Sequence, residues 1–351
     1  MGKKLPNAVI GVDLGRHSIK TVALQRKGGN RFVVSNYAVH VMETAPQTAE
    51  QLTAEIKIAL KEMGGANARQ CAIAVSSSDS LIRIIEQPVT PREILRDAIR
   101  LNGLSLLNQD VKEFVLDCET IPSSAGPVAS SGAPQHTAPV KYLVAGVPRS
   151  RVQLIDQAFQ AFRRGSVHNI QLAPVCTFNA FEFSNPDAFA NEAFLLVDIG
   201  HHNSTVTVGV KKEIVIVRAI DYGVSNLREF LTANATSKQT DAFTALAAGD
   251  VTAVENARLS LTALTREIAS SIGFFEGRRE ENITRVHVSG GGARLKPLLD
   301  ILSEELHIPC EPWNPFSTCE LALPAGRKET LADDIVSLNV ACGAAAEALR
   351  K

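Results

Sequence analysis

"VIGVDLGRHSIKTVAL", Val9 to Leu24, sets an acidic-Gly turn between two apolar runs. Most Asp-x-Gly turns between strands are hairpins and nothing more. The reading changes when "LLVDIGHHNSTVTVGV", Leu195 to Val210, is laid beside it. Asp13 falls on Asp198 and Gly15 on Gly200, each pair 185 residues apart in a chain of 351. A third strand-like run follows each turn, at 31–41 and at 212–220. A repeat about half the chain long predicts two related α/β domains, not a solenoid of short units.

Composition agrees with a globular protein large enough for more than one core. Hydrophobic residues make up 45% and charged residues 21%, with a formal net charge of −1. No overall field therefore draws the chain to nucleic acid or to acidic lipid. The six cysteines stand apart at 71, 118, 176, 310, 319 and 342, without a C-x-x-C pair. They read as reduced thiols of a cytoplasmic protein, Cys176 among them as packing and not as a nucleophile. No run approaches the roughly 20 apolar residues that span a bilayer, so contact with membrane is expected only through a partner.

The remaining pattern fills in the two halves. An amphipathic helix is expected over 48–65 and a buried strand over 70–78. Residues 81–120 read as strand, helix and strand, and 140–148 as a further strand. Between them, 122–139 is Pro, Gly, Ser and Ala with little to bury, a loop expected to be mobile. Helices are expected at 149–165, at 175–183 and through much of 224–281. "TRVHVSGGGARLKPLLDILSEEL" (284–306) reads as strand, glycine loop and helix, and the chain ends on an Ala-rich helix suited to close packing.

The turns carry phosphate chemistry. Gly15 and Gly200 let the backbone turn sharply and present successive N–H groups to phosphate oxygens. Ser18, Asn203, Ser204 and Thr205 add side-chain donors. Asp13 and Asp198, one per turn, are expected to face each other across a cleft. Two carboxylates repel phosphate, so they imply a divalent cation held through water. Lys20 points either to phosphate or to solvent. Gly290, Gly291 and Gly292 allow close approach of a flat ligand such as a base and ribose. A P-loop and a Rossmann fingerprint are both excluded, the second because "GVDLG" leads into a strand. His17, His201 and His202 invite a metal-cluster reading, but imidazoles in turns more often face solvent or bond backbone.

These stretches resemble the actin-like ATPase superfamily, and within it the PilM family of type IV pilus assembly, itself similar to the FtsA group. "GVDLGRHSIKTVAL" and "LLVDIGHHNSTVTVGV" resemble its phosphate turns. "ITRVHVSGGGARLKPLLDILSEELHIPCEPWNPF" resembles its adenosine loop, and "NVACGAAAEALR" its last connecting helix. The resemblance implies an α/β fold of duplicated actin-like (ribonuclease H-like) domains around a nucleotide cleft, with an inserted small subdomain of the FtsA/PilM type. It places domain 1 at 1–190 with the insert about 80–148, domain 2 at 191–330 with a helical subdomain about 224–281, and a returning helix at 331–351. ATP and Mg²⁺ are the implied cofactors. Gly15, Arg16, His17, Ser18, Lys20, Gly200, His202, Asn203, Ser204 and Thr205 would hold phosphate. Gly290, Gly291, Gly292, Ala293 and Leu295 would hold adenosine, and Asp13 and Asp198 the Mg²⁺.

The implied partner is the N-terminal cytoplasmic peptide of a PilN-like inner-membrane protein, with room for self-association. That would set the chain at the inner face of the inner membrane. One departure bears on chemistry: Ala173 precedes Pro174, where many relatives carry a water-activating acid. ATP binding with at most slow hydrolysis is the expectation. The alternatives are a small-molecule kinase of the same superfamily, which would need a carboxylate base, and a nucleotide-free scaffold.

Overall fold

The computed structural model describes residues 6–28, 31–64, 70–76, 80–122, 139–162, 166–235 and 241–350. The loop expected at 122–139 falls almost wholly outside the described residues.

The chain opens with β1 (Ala8–Leu14), β2 (Ser18–Lys27) and β3 (Arg31–Val41), an antiparallel meander. Helix α1 (Ala49–Glu62) follows, starting one residue later than its cap. Thr48 Oγ1 accepts from the Gln51 N–H while the Gln51 side chain accepts from the Thr48 N–H, a reciprocal capping box. Strand β4 (Gln70–Val75) then runs parallel to β1. After it come β5 (Leu81–Gln87), α2 (Arg92–Leu107), β6 (Phe114–Thr120) and β7 (Val140–Pro148). Strands β5, β7 and β6 form a separate three-stranded antiparallel sheet. Leu95, Ile99 and Leu107 of α2 close that sheet against Leu116, Tyr142 and Val144. Helix α2 is kinked at Asn102, one residue before Gly103.

Helix α3 (Arg149–Gln160) leads to β8 (Ser166–Leu172), a strand parallel to β4. Helix α4 (Ala173–Ser184) and the short α5 (Pro186–Asn191) then carry the chain into its second half. There β9 (Ala193–Ile199), β10 (Ser204–Val210) and β11 (Glu213–Ile220) repeat the opening meander. Helices α6 (Val224–Ala233), α7 (Ala242–Ala247) and α8 (Val251–Glu276) follow, the last burying Leu261, Leu264 and Ile268 against this second sheet. Then come β12 (Val286–Ser289), α9 (Lys296–Leu306) and β13 (Cys310–Pro312). The chain returns to the first sheet through β14 (Glu320–Leu321) beside β3, and ends in α10 (Ala325–Asp334) and α11 (Asn339–Arg350).

The two sheets share one plan. Their orders are β14-β3-β2-β1-β4-β8 and β11-β10-β9-β12-β13. In each, the first strand pairs antiparallel with the second and parallel with the fourth of the plan. Asp13 stands opposite Lys20 and Asp198 opposite Thr205, so the repeat holds its register through both turns.

Strand alternation decides which face each carboxylate takes. Ile10, Val12 and Leu14 pack under α1 and α3, whereas Val9 joins the core built around α11. Asp13 shares the Val9 face. In β9, Leu195, Val197 and Ile199 pack toward the second half's helices, while Phe194 and Leu196 meet Phe181 of α4. Asp198 shares that face. Both carboxylates therefore look toward the pair of connecting helices.

The expected C-terminal helix begins later than its Ala-rich pattern suggests. Ile335–Ser337 form a 3₁₀ turn. Its geometry leaves the Val336 carbonyl to accept the Gly290 N–H at 2.8 Å, a bond no α-helical carbonyl at that place would offer. Beyond it α11 passes very close to its neighbours. A Cβ at Gly343 would lie 1.8 Å from the Cys176 carbonyl oxygen of α4, and a Cβ at Gly11 would lie 1.8 Å from the Ala341 carbonyl oxygen. Both obstacles are backbone and cannot rotate away. Gly343→Ala should therefore lower stability by about 1–3 kcal/mol or more, as overpacking does. A urea-denaturation midpoint equal to that of the wild type would refute this close approach.

Candidate functional site

The two turns meet in one cavity of about 70 Å³. Asp13, Gly15, Arg16, His17, Ser18 and Lys20 line it from the first half. Asp198, Gly200, His201, His202, Asn203 and Thr205 line it from the second, and Ser76, Ala173 and Val340 complete it. Eleven of the predicted phosphate and cation residues thus converge on one space.

The turn glycines are required, though for a different reason from the one the sequence suggested. Neither Gly15 nor Gly200 has a left-handed φ. A Cβ at Gly15 would lie 2.7 Å from the Ser18 carbonyl oxygen, and one at Gly200 would lie 2.6 Å from the Asn203 carbonyl oxygen. Close approach within the turn, not a special backbone angle, excludes a side chain. The second turn is further fixed by α6. Val224 N–H donates to the Gly200 carbonyl at 3.0 Å, and Ser225 donates to the His201 carbonyl through both N–H and Oγ, each at 2.8 Å.

Lys20 faces the cavity and not solvent. Its Nζ lies 3.0 Å from Asp13 Oδ2. Burial works against the ammonium, but Asp13 and Asp198, with the Asp13 hydrogen bond, outweigh it and hold Lys20 above the ordinary lysine value. On the other side, burial pushes the Asp198 carboxyl up. Lys20 and a 2.8 Å hydrogen bond from Ser289 Oγ oppose that push, and the charge of Asp13 adds to it. Two carboxylates turned on one small space with a single ammonium between them form a donor set that fits a divalent cation.

Ser204 is not brought into the cavity. Alternation turns it to the core side, where it is fully buried and its Oγ donates to the Tyr222 carbonyl at 2.7 Å. The glycine loop also lies outside the lining. Gly290 has φ +86°, and a Cβ there would lie 2.4 Å from the Ile199 carbonyl oxygen. A Cβ at Gly292 would lie 2.5 Å from Ile199 Cγ2. Two of the three glycines are thus used in seating the loop against β9, and only Gly291 has open space beside its Cα. Ala293 is buried and Leu295 packs on the second core. The loop does not lead straight into α9 but through a 3₁₀ turn, Gly291–Arg294.

Two polar residues that line or brace the site, Ser76 and Ser289, were not found from sequence, and His201 was weighed only as part of a metal cluster. Ser76 follows β4 and its Oγ lies 3.5 Å from Asn203 Oδ1. The general rule that ligands collect at the carboxyl ends of parallel strands could have pointed to it. The same rule covers Ser289, at the end of β12. His201 stacks on His17 with ring centroids 3.7 Å apart and 12° between planes, while His202 meets His201 edge-on at 4.5 Å. The three imidazoles pack on one another, and among the described residues no group of three or more His, Cys, Asp or Glu is placed to hold a metal ion. Cys176 is fully buried, and burial pushes its thiol well above the usual range, which agrees with packing.

Removing the ammonium should expose the cost of the paired carboxylates. Lys20→Met is expected to lose up to about 3–5 kcal/mol at neutral pH, the range for breaking a buried pair. An Asp198 carboxyl raised above its unfolded value binds its proton in the folded state first, so stability falls as pH rises through that interval. The deficit of Lys20→Met should therefore shrink as pH falls from neutral. Thermal or urea unfolding measured as pH is lowered tests it, and a pH-independent deficit would count against the charge assignment.

Comparison with known proteins follows the same plan. A solved structure described as a PilM–PilN type IV pilus biogenesis complex aligns with a TM-score of 0.78 at 20% identity, over 97% of this chain and 98% of that one. The ethanolamine utilization protein EutJ from Carboxydothermus hydrogenoformans aligns at a TM-score of 0.48 and 14% identity, over 96% and 90% of the two chains. Component A of the (R)-2-hydroxyglutaryl-CoA dehydratase of Acidaminococcus fermentans aligns at 0.48 and 12%, over 98% of each. The fold is the actin-like ATPase fold, two similar α/β halves about a cleft. No helix among the described residues is long and apolar enough to cross a membrane. Residues 11–349 match the profile of the family described as type IV pilus assembly protein PilM, and the chain belongs to that family.

Proposed function

We propose that this chain is an ATP-binding adaptor of the type IV pilus machine, which carries nucleotide in its cleft and grips the N-terminal cytoplasmic peptide of a PilN-like inner-membrane protein. The observation that carries the nucleotide reading is the convergence of Asp13, Lys20 and Asp198 with both glycine turns on one cavity. Turn N–H groups, Ser18, Asn203 and Thr205 would bind phosphate, with Arg16, His17, Lys20 and His202 supplying further donors. Asp13 and Asp198 would hold Mg²⁺ through water, and the cation would shield phosphate charge there. The Gly290–Gly292 loop with Ala293 and Leu295 would face adenosine, mainly through backbone, since only Gly291 is open beside its Cα.

Within this reading domain 1 spans 1–190 with the insert about 80–148, domain 2 spans 191–330 with the helical unit about 224–281, and the chain returns over 331–351. Support for the partner is the likeness to a PilM-type chain whose structure is described as a complex with PilN. A peripheral place at the inner face of the inner membrane follows from that partner. Among the described residues the carboxylates lining the cavity are Asp13 and Asp198, and the position before Pro174 is Ala173. Among the described residues no separate base for a kinase stands there, and hydrolysis would be slow at most.

Titration with ATP and Mg²⁺, with and without a PilN-like N-terminal peptide, tests the reading. Asp13→Ala and Asp198→Ala should each weaken ATP·Mg²⁺ binding by roughly 10–100-fold, the usual cost of losing a group that supports a bound metal. Wild-type protein that binds no nucleotide at millimolar concentration would overturn the nucleotide reading. A peptide that binds neither form would overturn the adaptor reading.

A further inference from the structure

His17 and His201 belong to different halves of the molecule, yet their rings lie face to face at 3.7 Å and 12° across the cleft. Each is anchored through its backbone. The His17 carbonyl accepts from Met42 N–H at 2.9 Å, and the His201 carbonyl accepts twice from Ser225. The stack therefore joins one turn to the other, over a cavity of only about 70 Å³. Pockets that bury most of a drug-sized ligand run to roughly 300–1,000 Å³. A phosphate group cannot pass between these two rings unless they part.

We propose that the His17–His201 stack is a clasp between the two turns, which the terminal phosphate of a nucleoside triphosphate opens and then engages, so that this pair tells a triphosphate from a diphosphate. The proposal rests on the nucleotide reading above and adds to it what the cleft senses.

The electrostatics support the geometry. Two imidazolium rings cannot stay stacked, because like charges at that distance repel. Burial lowers the His201 value to about 4, helped by His17, His202 and Arg228 of α6. Burial also lowers that of His17, with His202, Lys20 and Arg228 adding to the effect. At neutral pH both rings are therefore neutral and stack. Asp13 and Asp198 line the same cavity, and so does Arg16. Once parted and set against a phosphate dianion, an imidazole gains a partner that favours its charged form, takes a proton from solvent and donates both N–H groups. The sign follows: binding takes up protons, so triphosphate affinity falls as pH rises from about 4, the value of His201 in the stack, to the raised value in the bound state. A diphosphate, one phosphate shorter, would leave the rings stacked and take up none.

Isothermal titration of the full chain with Mg²⁺ and either ADP or a non-hydrolysable ATP analogue, at pH 6.5 in buffers of different ionisation enthalpy, tests this. The wild type should take up about one proton with the analogue and none with ADP. His17→Asn and His201→Asn should each abolish the uptake and reduce the preference for the analogue over ADP about fivefold or more. A thermal unfolding midpoint close to that of the wild type shows that the variants are folded. Equal proton counts for the two nucleotides in the wild type would overturn the clasp without any variant. So would a preference that neither substitution changes. Wild-type protein that binds neither nucleotide would instead sink the nucleotide reading and take the clasp with it.

Discussion

Everything in this molecule that concerns the cleft depends on how near α11 can come to β1 and α4. At Gly11 and Gly343 the nearest atoms are carbonyl oxygens of Ala341 and Cys176, each 1.8 Å from where a Cβ would sit. Around them Ala341, Cys342, Ala344, Ala345 and Ala348 keep the interface thin and fully buried. Interiors are close-packed, so a helix held at this distance has no slack in which to slide. Helix α4 in turn presses Phe181 against Phe194 and Trp313 of the second half, at centroid distances of 4.6 and 5.4 Å. The two connecting helices thus set the spacing of the two sheets, and the spacing of the sheets sets the spacing of the two turns.

That spacing converts two unremarkable turns into one electrostatic unit. Asp13 alone would be a turn residue at a strand end, and Asp198 alone the same. Brought to one cavity, their charges interact through Lys20, and Asp198 needs Ser289 as well to offset its burial. Glu213 shows the same logic outside the cleft. This buried carboxylate accepts from Lys141 of the inserted sheet at 2.6 Å and from Arg279 of the second half at 2.9 Å. Breaking such a pair leaves an uncompensated buried charge, which ties the insert to the second half by cost of separation more than by net attraction.

Much of the fold was legible because it rests on periodicity and repetition. The Asp-x-Gly turns lie 185 residues apart, and the structure keeps that offset through Lys20 and Thr205 without a register slip. The inserted strands at 81–87 and 140–148 were legible as well, since local apolar runs announce them. Less of the site could be read. Ser204 looks like any other hydroxyl in a Ser-Thr pair, and only strand alternation shows that it faces the Tyr222 carbonyl. The glycines of 290–292 look like space left for a ligand, yet two of them are filled by the approach of Ile199. Ser76 and Ser289 stand far from either turn in sequence and join them only because β4 and β12 run parallel beside β1 and β9.

The sequence by itself determined the strand and helix periods, the duplication, and the residue types that a phosphate turn needs, because these are local properties of a chain with a repeating pattern. Tertiary structure alone decided that Lys20 turns inward to Asp13, that His17 meets His201 ring to ring, and that a 3₁₀ turn frees the Val336 carbonyl for Gly290. Each of these joins residues far apart along the chain or chooses between two faces of one strand. Their geometry is set by the packing of the two halves about α4 and α11, which no window of sequence contains.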